Sequence, residues 1–211
     1  MNKFTWKIEY SLTLLSVFVV VLFLIPTSFS SKEARYISKW NEKYNKIEYM
    51  LTAMSAQADS DIAKELKEET DPQKREDLMI DLIRPYLRLE EVNYPKWRYN
   101  PRYMNNKPIS KDDFVYFDSL YKSQSGQIVG IKDIDEDVDF SPAFIMSVDV
   151  NGVKGPNLWG RDIYGVAIFD DGKVKALGYD KDVEELRKDC HDGGAGVYCS
   201  HFYRIGGEFN E

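Results

Sequence analysis

The segment AFIMSVDVNGVKGPNLWGRDIYGVAIF, residues 143–169, holds two apolar runs separated by a polar connection. The runs, at 143–150 and 162–169, each have the length of a β-strand. The residues between them are rich in Gly, Asn and Pro, which favour turns. This pattern predicts two antiparallel strands. Three further short runs extend the predicted sheet, at residues 113–120, 126–134 and 173–177.

The chain before this sheet has a helical pattern. Apolar side chains from Ile37 to Ile62 recur every three or four residues, which predicts one amphipathic helix over 33–69. Asp71 followed by Pro72 is typical of a helix start and predicts a second helix over 72–90. Helices that precede a run of antiparallel strands define the α+β class.

The longest apolar run is KFTWKIEYSLTLLSVFVVVLFLIPTSFS, residues 3–30. The part from Ser11 to Phe29 carries no charge and is about as long as a bilayer core is thick. One interpretation is therefore a permanent membrane anchor. The alternative is a signal peptide cleaved after Ser30, with Lys3 and nearby Lys7 as its basic start.

Residues 4–27 of this run, FTWKIEYSLTLLSVFVVVLFLIPT, resemble the N-terminus of type IV pilins. In that family an acidic residue opens an apolar helix, and a proline follows at about the distance between Glu9 and Pro26. The resemblance implies that Glu9 pairs with the N-terminal amine of a neighbouring subunit. It also implies a pilin-like fold, in which a long N-terminal membrane-and-stalk helix precedes a second helix and a small antiparallel sheet. Lys3 stands where family members have a small residue before their cleavage site.

The connection between the two apolar runs carries a second motif, D-x-N-G followed by P-N-x-x-G-x-D. This motif resembles a loop of pilin-like proteins in some bacterial secretion systems. Its oxygen-bearing side chains are Asp149, Asn151, Asn157 and Asp162. Such oxygens are the ligands that calcium prefers, although the spacing is not that of an EF-hand. The same residue types stabilise tight turns by bonding the backbone, so a structural turn is the favoured interpretation and calcium the alternative.

The cysteines lie close together in CHDGGAGVYCSH, residues 190–201. A disulfide between Cys190 and Cys199 is favoured, because the N-terminus looks export-like and the intervening glycines let a short loop close. The alternative is zinc bound by both cysteines with His191 and His201. That spacing matches no zinc ribbon or finger.

Charge and motif content exclude several functions. The net charge of -7 and pI near 5.0 argue against nucleic-acid binding, which needs a basic surface. The chain has two histidines and no nucleophile elbow, P-loop or zincin motif, so we predict that it is not an enzyme. The acidic run at 133–139 is typical of solvated surface rather than of a glycosidase carboxylate pair. The composition of residues 93–112 predicts an irregular loop packed by Trp97, Tyr99 and Tyr103, with a sugar-binding platform as the alternative.

These observations predict three regions: a membrane-anchoring apolar helix at 1–30, a helical stalk and second helix at 31–92, and an antiparallel-sheet head domain at 93–211. The resemblance implies a structural pilin-like or pseudopilin subunit of a type II secretion or type IV pilus assembly. Its expected partners are other pilin-like subunits, secretion-system components and the inner membrane. The expected location is a single-pass inner-membrane protein with its head in the periplasm or outside the cell. The alternative is a secreted or anchored extracytoplasmic binding module.

Overall fold

The computed structural model describes residues 13–17, 32–57, 66, 69–134, 142–169 and 172–209. The chain divides into two compact units, residues 1–35 and residues 36–211. In the first unit, the short stretch 13–17 is helical and its side chains are exposed. The second unit contains the whole β-sheet, so the fold is built there.

Helix α1 spans Lys32–Gln57 and buries one face. Its buried side chains recur every three or four residues, as an amphipathic helix requires: Trp40, Tyr44, Ile47, Met50, Leu51 and Met54. The indole of Trp40 stacks on the ring of Tyr164, with 5.1 Å between the ring centroids. This face matches the predicted stripe. The predicted continuation of the helix over 58–65 lies outside the described residues.

Helix α2 spans Pro72–Leu87 and begins where the sequence predicts. The carboxylate of Asp71 accepts hydrogen bonds from the backbone N–H groups of Gln73 and Lys74, which satisfies two otherwise unpaired donors. The helix ends earlier than predicted because Arg88 adopts a left-handed conformation, with φ 51°, and a strand follows at once.

Six antiparallel strands form one sheet in chain order. They are β1 Glu90–Val92, β2 Leu120–Lys122, β3 Ile128–Asp133, β4 Phe144–Asp149, β5 Ile163–Ile168 and β6 Val174–Ala176. Strands β3 to β6 lie within the predicted runs. The predicted strand over 113–120 is wrong except for its last residue, and β1 was not predicted. The centre of the sheet is therefore the part that the apolar runs define.

Both faces of the sheet are buried. Phe144, Met146 and Val148 of β4 belong to the apolar cluster that contains α1 and α2. Ile145, between them, belongs to a second cluster on the opposite face with Trp159 and other residues. Because side chains alternate along a strand, burial of both faces explains why β4 is continuously apolar.

The second face is covered by loops rather than by helices. Its cover includes Val115, Trp159, Leu177 and Val197. Glycine at position 130 makes this cover possible, since a Cβ there would lie 2.5 Å from a ring carbon of Phe117. Position 165 is similar, because a Cβ there would lie 2.5 Å from Leu177 Cδ1. The two glycines thus let loop side chains sit directly on the sheet.

The C-terminal segment ties helix α1 to the sheet. Two short helices, α3 Val183–Asp189 and α4 Cys199–Phe202, precede a 3₁₀ turn at Tyr203–Ile205. The indole N–H of Trp40 donates to the carbonyl of Ser200 at 2.8 Å. The hydroxyl of Tyr44 donates to the carbonyl of Val174 at 3.1 Å. Both α1 donors are buried, so these bonds satisfy polar groups that would otherwise be unpaired.

The predicted fold is corrected in one main respect. The long N-terminal membrane-and-stalk helix is not seen, because the first long helix that the structure describes begins at Lys32 and carries charges along its length. Within the described ranges, no helix combines the length and the apolar character needed to cross a bilayer. Among the described residues, this finding contradicts the predicted transmembrane helix and the single-pass inner-membrane location that was inferred from it. Most of the predicted span at 11–29 lies outside the described residues.

Candidate functional site

The loop between β4 and β5 is held by two buried carboxylates. Asp149 ends β4 and Asp162 precedes β5, and their exposed fractions are 1% and 0%. Asp162 accepts hydrogen bonds from two backbone N–H groups of the loop, that of Asn157 at 2.9 Å and that of Leu158 at 2.7 Å. These bonds close the loop on its own C-terminal end.

Asp149 fixes the other end of the loop. Its Oδ1 accepts from the backbone N–H of Asn151 at 3.1 Å. The hydroxyl of Tyr99, from the long loop after β1, lies close enough to this carboxylate to lower its pKa. With its amide nitrogen turned inward, Asn157 donates to Asp149 Oδ2 at 3.2 Å and to the carbonyl of Gly152 at 3.3 Å. Both carboxylates therefore act as acceptors for the loop's own donors.

Burial changes the acidity of this pair. It raises the pKa of Asp149 well above its usual value, and the nearby charge of Asp162 raises it further. Burial also raises the pKa of Asp162 to about 6, against the hydrogen bonds from Asn157 and Leu158, which lower it. Simultaneous ionisation of the two carboxylates is therefore unfavourable.

The structure brings together all four predicted metal-ligand residues in this loop. The amide nitrogen of Asn151 donates to the hydroxyl of Tyr36 at 2.9 Å, and its Oδ1 is buried without a hydrogen-bond partner. A calcium ion would need six to eight oxygens. The carboxylate oxygens of Asp149 and Asp162 instead accept backbone donors, which is the arrangement of a structural turn. These contacts support the turn interpretation over calcium.

The cysteine loop has a structural role. Cys190 and Cys199 form a disulfide, so their sulfurs are not the thiolates that zinc requires. Asp189 accepts from the backbone N–H of Ala195 at 3.1 Å and of Tyr198 at 2.7 Å. Asp189 and the two cysteine sulfurs are the one group of three potential metal ligands found in the described part of the chain. The disulfide accounts for its geometry without a metal.

A cavity of about 340 Å³ opens on the second face of the sheet. Its walls come from the end of β1, the loop after it and residues 115–120, and its floor includes Ser147 and Trp159. The sequence pattern does not predict this cavity. Its residues come from at least five separate stretches of the chain, and only the aromatic content of 93–112 pointed to it. Within that loop Tyr99 is buried, whereas Trp97 is 84% exposed and does not pack the loop as predicted.

The remaining predictions on site residues rest on the N-terminal segment. Glu9 and Pro26 lie outside the described residues. No family model, curated protein or solved structure matches this chain. The resemblance to pilins and the absence of enzymatic activity therefore stay predictions, and function must be argued from the chain's own residues.

Proposed function

We propose that the chain is a structural subunit of a type II secretion or type IV pilus assembly, of the pilin-like class. The observation that carries the proposal is the placement of α1. This helix begins six residues after Pro26, packs one face on an antiparallel sheet, and leaves Tyr49 on its other side 76% exposed. Such a helix suits a subunit whose N-terminal segment contacts neighbours while its sheet stays folded. The proposal does not require a continuous helix from the N-terminus.

The β4–β5 loop gives a second, weaker support. Its D-x-N-G and P-N-x-x-G-x-D residues serve to shape the loop, because Asp149 and Asp162 bond its backbone. A loop shaped this rigidly is a suitable contact surface between subunits, since little ordering entropy is lost on binding. The disulfide is typical of an oxidising, extracytoplasmic compartment, where such assemblies are built.

Glu9 is the residue expected to hold subunits together. A carboxylate among apolar side chains needs a cation, and the resemblance implies that the N-terminal amine of a neighbouring subunit supplies it. Removal of one partner of a buried ion pair costs about 3–5 kcal/mol, so Glu9→Ala should weaken self-association at least about a hundredfold.

Chemical crosslinking in the producing cells tests this role. The wild-type chain should give a ladder of oligomers, which Glu9→Ala should abolish. Glu42→Ala provides the matched control, because Glu42 is an exposed glutamate of α1 whose nearest ionic partner is its neighbour Lys43 at 3.4 Å. An unchanged ladder with Glu9→Ala would remove Glu9 from the mechanism.

The alternative is an extracytoplasmic binding module whose signal peptide is cleaved after Ser30. The cavity above Ser147 favours this second candidate, because binding modules need an enclosed site. The two proposals differ in the fate of the N-terminal segment, which the assembly subunit keeps and the secreted module loses.

A further inference from the structure

The cavity on the second face of the sheet has features of a binding site. At about 340 Å³, it falls within the range of about 300–1,000 Å³ that is usual for small-molecule pockets. It also mixes aromatic and polar lining residues, as such pockets do. The lining residues that matter here are Asn93, Asn100, Phe117, Asp118, Ser147 and Trp159.

Ser147 is the polar group at the floor of the cavity. It is only 6% exposed, and no hydrogen bond joins its hydroxyl to another of the described residues. Buried hydroxyls are normally paired, so an unpaired one that lines a cavity is available to a bound molecule. Its two neighbours across the sheet are Gly130 and Gly165, which place no side chain beside it.

Two aromatic side chains pack against the glycines that flank Ser147 in the sheet. Phe117 rests on the bare backbone of Gly130, and Trp159 approaches Gly165 in the same way. Trp159 is 1% exposed and its backbone N–H donates to the carbonyl of Arg102 at 2.9 Å. The apolar walls are therefore formed before any ligand arrives, which lowers the entropy cost of binding.

The rim of the cavity selects by charge. Glu91 and Asp118 contribute carboxylates, Lys96 contributes one ammonium group, and Asn93 and Asn100 contribute amides. Two carboxylates against one ammonium leave a negative rim, which disfavours an anionic ligand. The amides and carboxylates are well suited to hydrogen bonds with hydroxyl groups.

We propose that this cavity binds a neutral sugar as a mono- or disaccharide. The C–H face of a sugar ring is apolar and fits against an aromatic wall such as the partly buried ring of Phe117. Its hydroxyls match the amides of the rim and the unpaired hydroxyl of Ser147. The inference is independent of the assembly role, since none of these residues belongs to the N-terminal segment.

Saturation-transfer NMR with the full-length chain tests the proposal. The probes are glucose, galactose and N-acetylglucosamine, with glucuronic acid as the anionic comparison. At least one neutral sugar should give a saturation signal that glucuronic acid does not. Signals from none of the neutral sugars, or an equal signal from the acid, would overturn the proposal.

A pair of serine variants then assigns the binding to this cavity. Ser147→Ala should weaken the bound sugar about 2- to 10-fold, which corresponds to the loss of one hydrogen bond. The matched control is Ser123→Ala, because Ser123 is a 5% exposed serine whose hydroxyl donates to Gln127 at 2.9 Å and which does not line the cavity. Equal weakening by both variants would contradict the assignment.

Melting temperatures separate loss of binding from loss of folding. Ser147→Ala should melt with the wild type because no hydrogen bond joins its hydroxyl to the described residues, whereas Ser123→Ala should melt lower. A clear fall for Ser147→Ala would show that its hydroxyl is structural and would overturn the proposal. Glu9→Ala should bind sugar as the wild type does, so failure of the assembly role and failure of sugar binding give different results.

Discussion

The free energy of unfolding should fall as the pH rises through the range in which Asp162 titrates. Burial raises the pKa of Asp162 from 3.8 to about 6 in the folded chain. A carboxyl with a higher pKa when folded binds its proton more tightly in that state, so its contribution to stability is present at low pH. That contribution is lost between the two pKa values and amounts to about 3 kcal/mol. Burial also raises the pKa of Glu76, Asp149 and Asp189, which adds to the same trend.

Urea denaturation followed by tryptophan fluorescence, from about pH 4 to about pH 8, measures this dependence. Trp40 and Trp159 are 0% and 1% exposed, so their emission reports unfolding of the sheet. Asp162→Asn should remove about 3 kcal/mol of the decline, because the amide does not titrate. Its absolute stability is a poorer measure, since an amide cannot accept both backbone N–H bonds. Asp112→Asn, at an exposed loop carboxylate, is the control and should keep the wild-type slope.

Two results would refute this reasoning. The first is a wild-type free energy of unfolding that stays flat or rises between about pH 4 and about pH 7. The second is an Asp162→Asn variant with the full wild-type slope, since the decline would then come from other groups. Either result would mean that Asp162 is ionised at little cost in the folded chain.

Three further predictions concern the disulfide, the β4–β5 loop and the packing around Gly160. Replacing Cys190 and Cys199 by Ser should lower the free energy of unfolding by about 2–3 kcal/mol in urea denaturation, because the bridge closes a short loop; a change below about 1 kcal/mol would contradict this. A chelator should leave the melting temperature unchanged, because backbone donors already occupy the carboxylates of the β4–β5 loop; a fall of several degrees would establish a metal there. Gly160→Ala should cost about 2–4 kcal/mol, because it combines φ +74° with a Cβ 2.8 Å from the backbone carbonyl oxygen of Gly196. Gly126→Ala, at φ +87° in open space, should cost about 1 kcal/mol, and equal losses would contradict the packing account.

The centre of the sheet could be predicted from the sequence because local pattern and final environment agree there. Strands β4 and β5 are buried on both faces, so they appear as continuous apolar runs that end at turn-forming residues. The start of α2 was equally predictable, because a cap at Asp71 is a local interaction.

The edge of the sheet could not be predicted in this way. Strand β1, Glu90–Val92, contains two exposed glutamates and owes its strand geometry to pairing with β2, which lies about 30 residues later. The predicted strand over 113–120 is mostly cover for the second face, because Phe117 lies on the bare backbone of Gly130. In both segments the structure depends on residues that are distant in the sequence, and a local pattern does not reveal them.

The candidate sites were likewise predictable where they depend on local sequence and not where they depend on distant contacts. The sequence could place Asp149 and Asp162 together, because they stand at the two ends of one hairpin connection. It could not show that Tyr99 lies beside them. Nor could it show that Ser147 would lie between Gly130 and Gly165 with no hydrogen bond from its hydroxyl to the described residues. A serine within an apolar run does not by itself indicate a binding site. Its role becomes visible only when the residues across the sheet are known.

The most direct test of the proposed assembly role is the N-terminal sequence of the mature chain, determined by mass spectrometry on protein isolated from its producing cells. The proposed subunit requires that the segment with Glu9 be retained. We predict a mature chain that begins at Phe4 or Thr5, or that keeps its original N-terminus. A mature chain that begins at Ser31 would contradict the assembly role and would leave the extracytoplasmic binding module as the function of this protein.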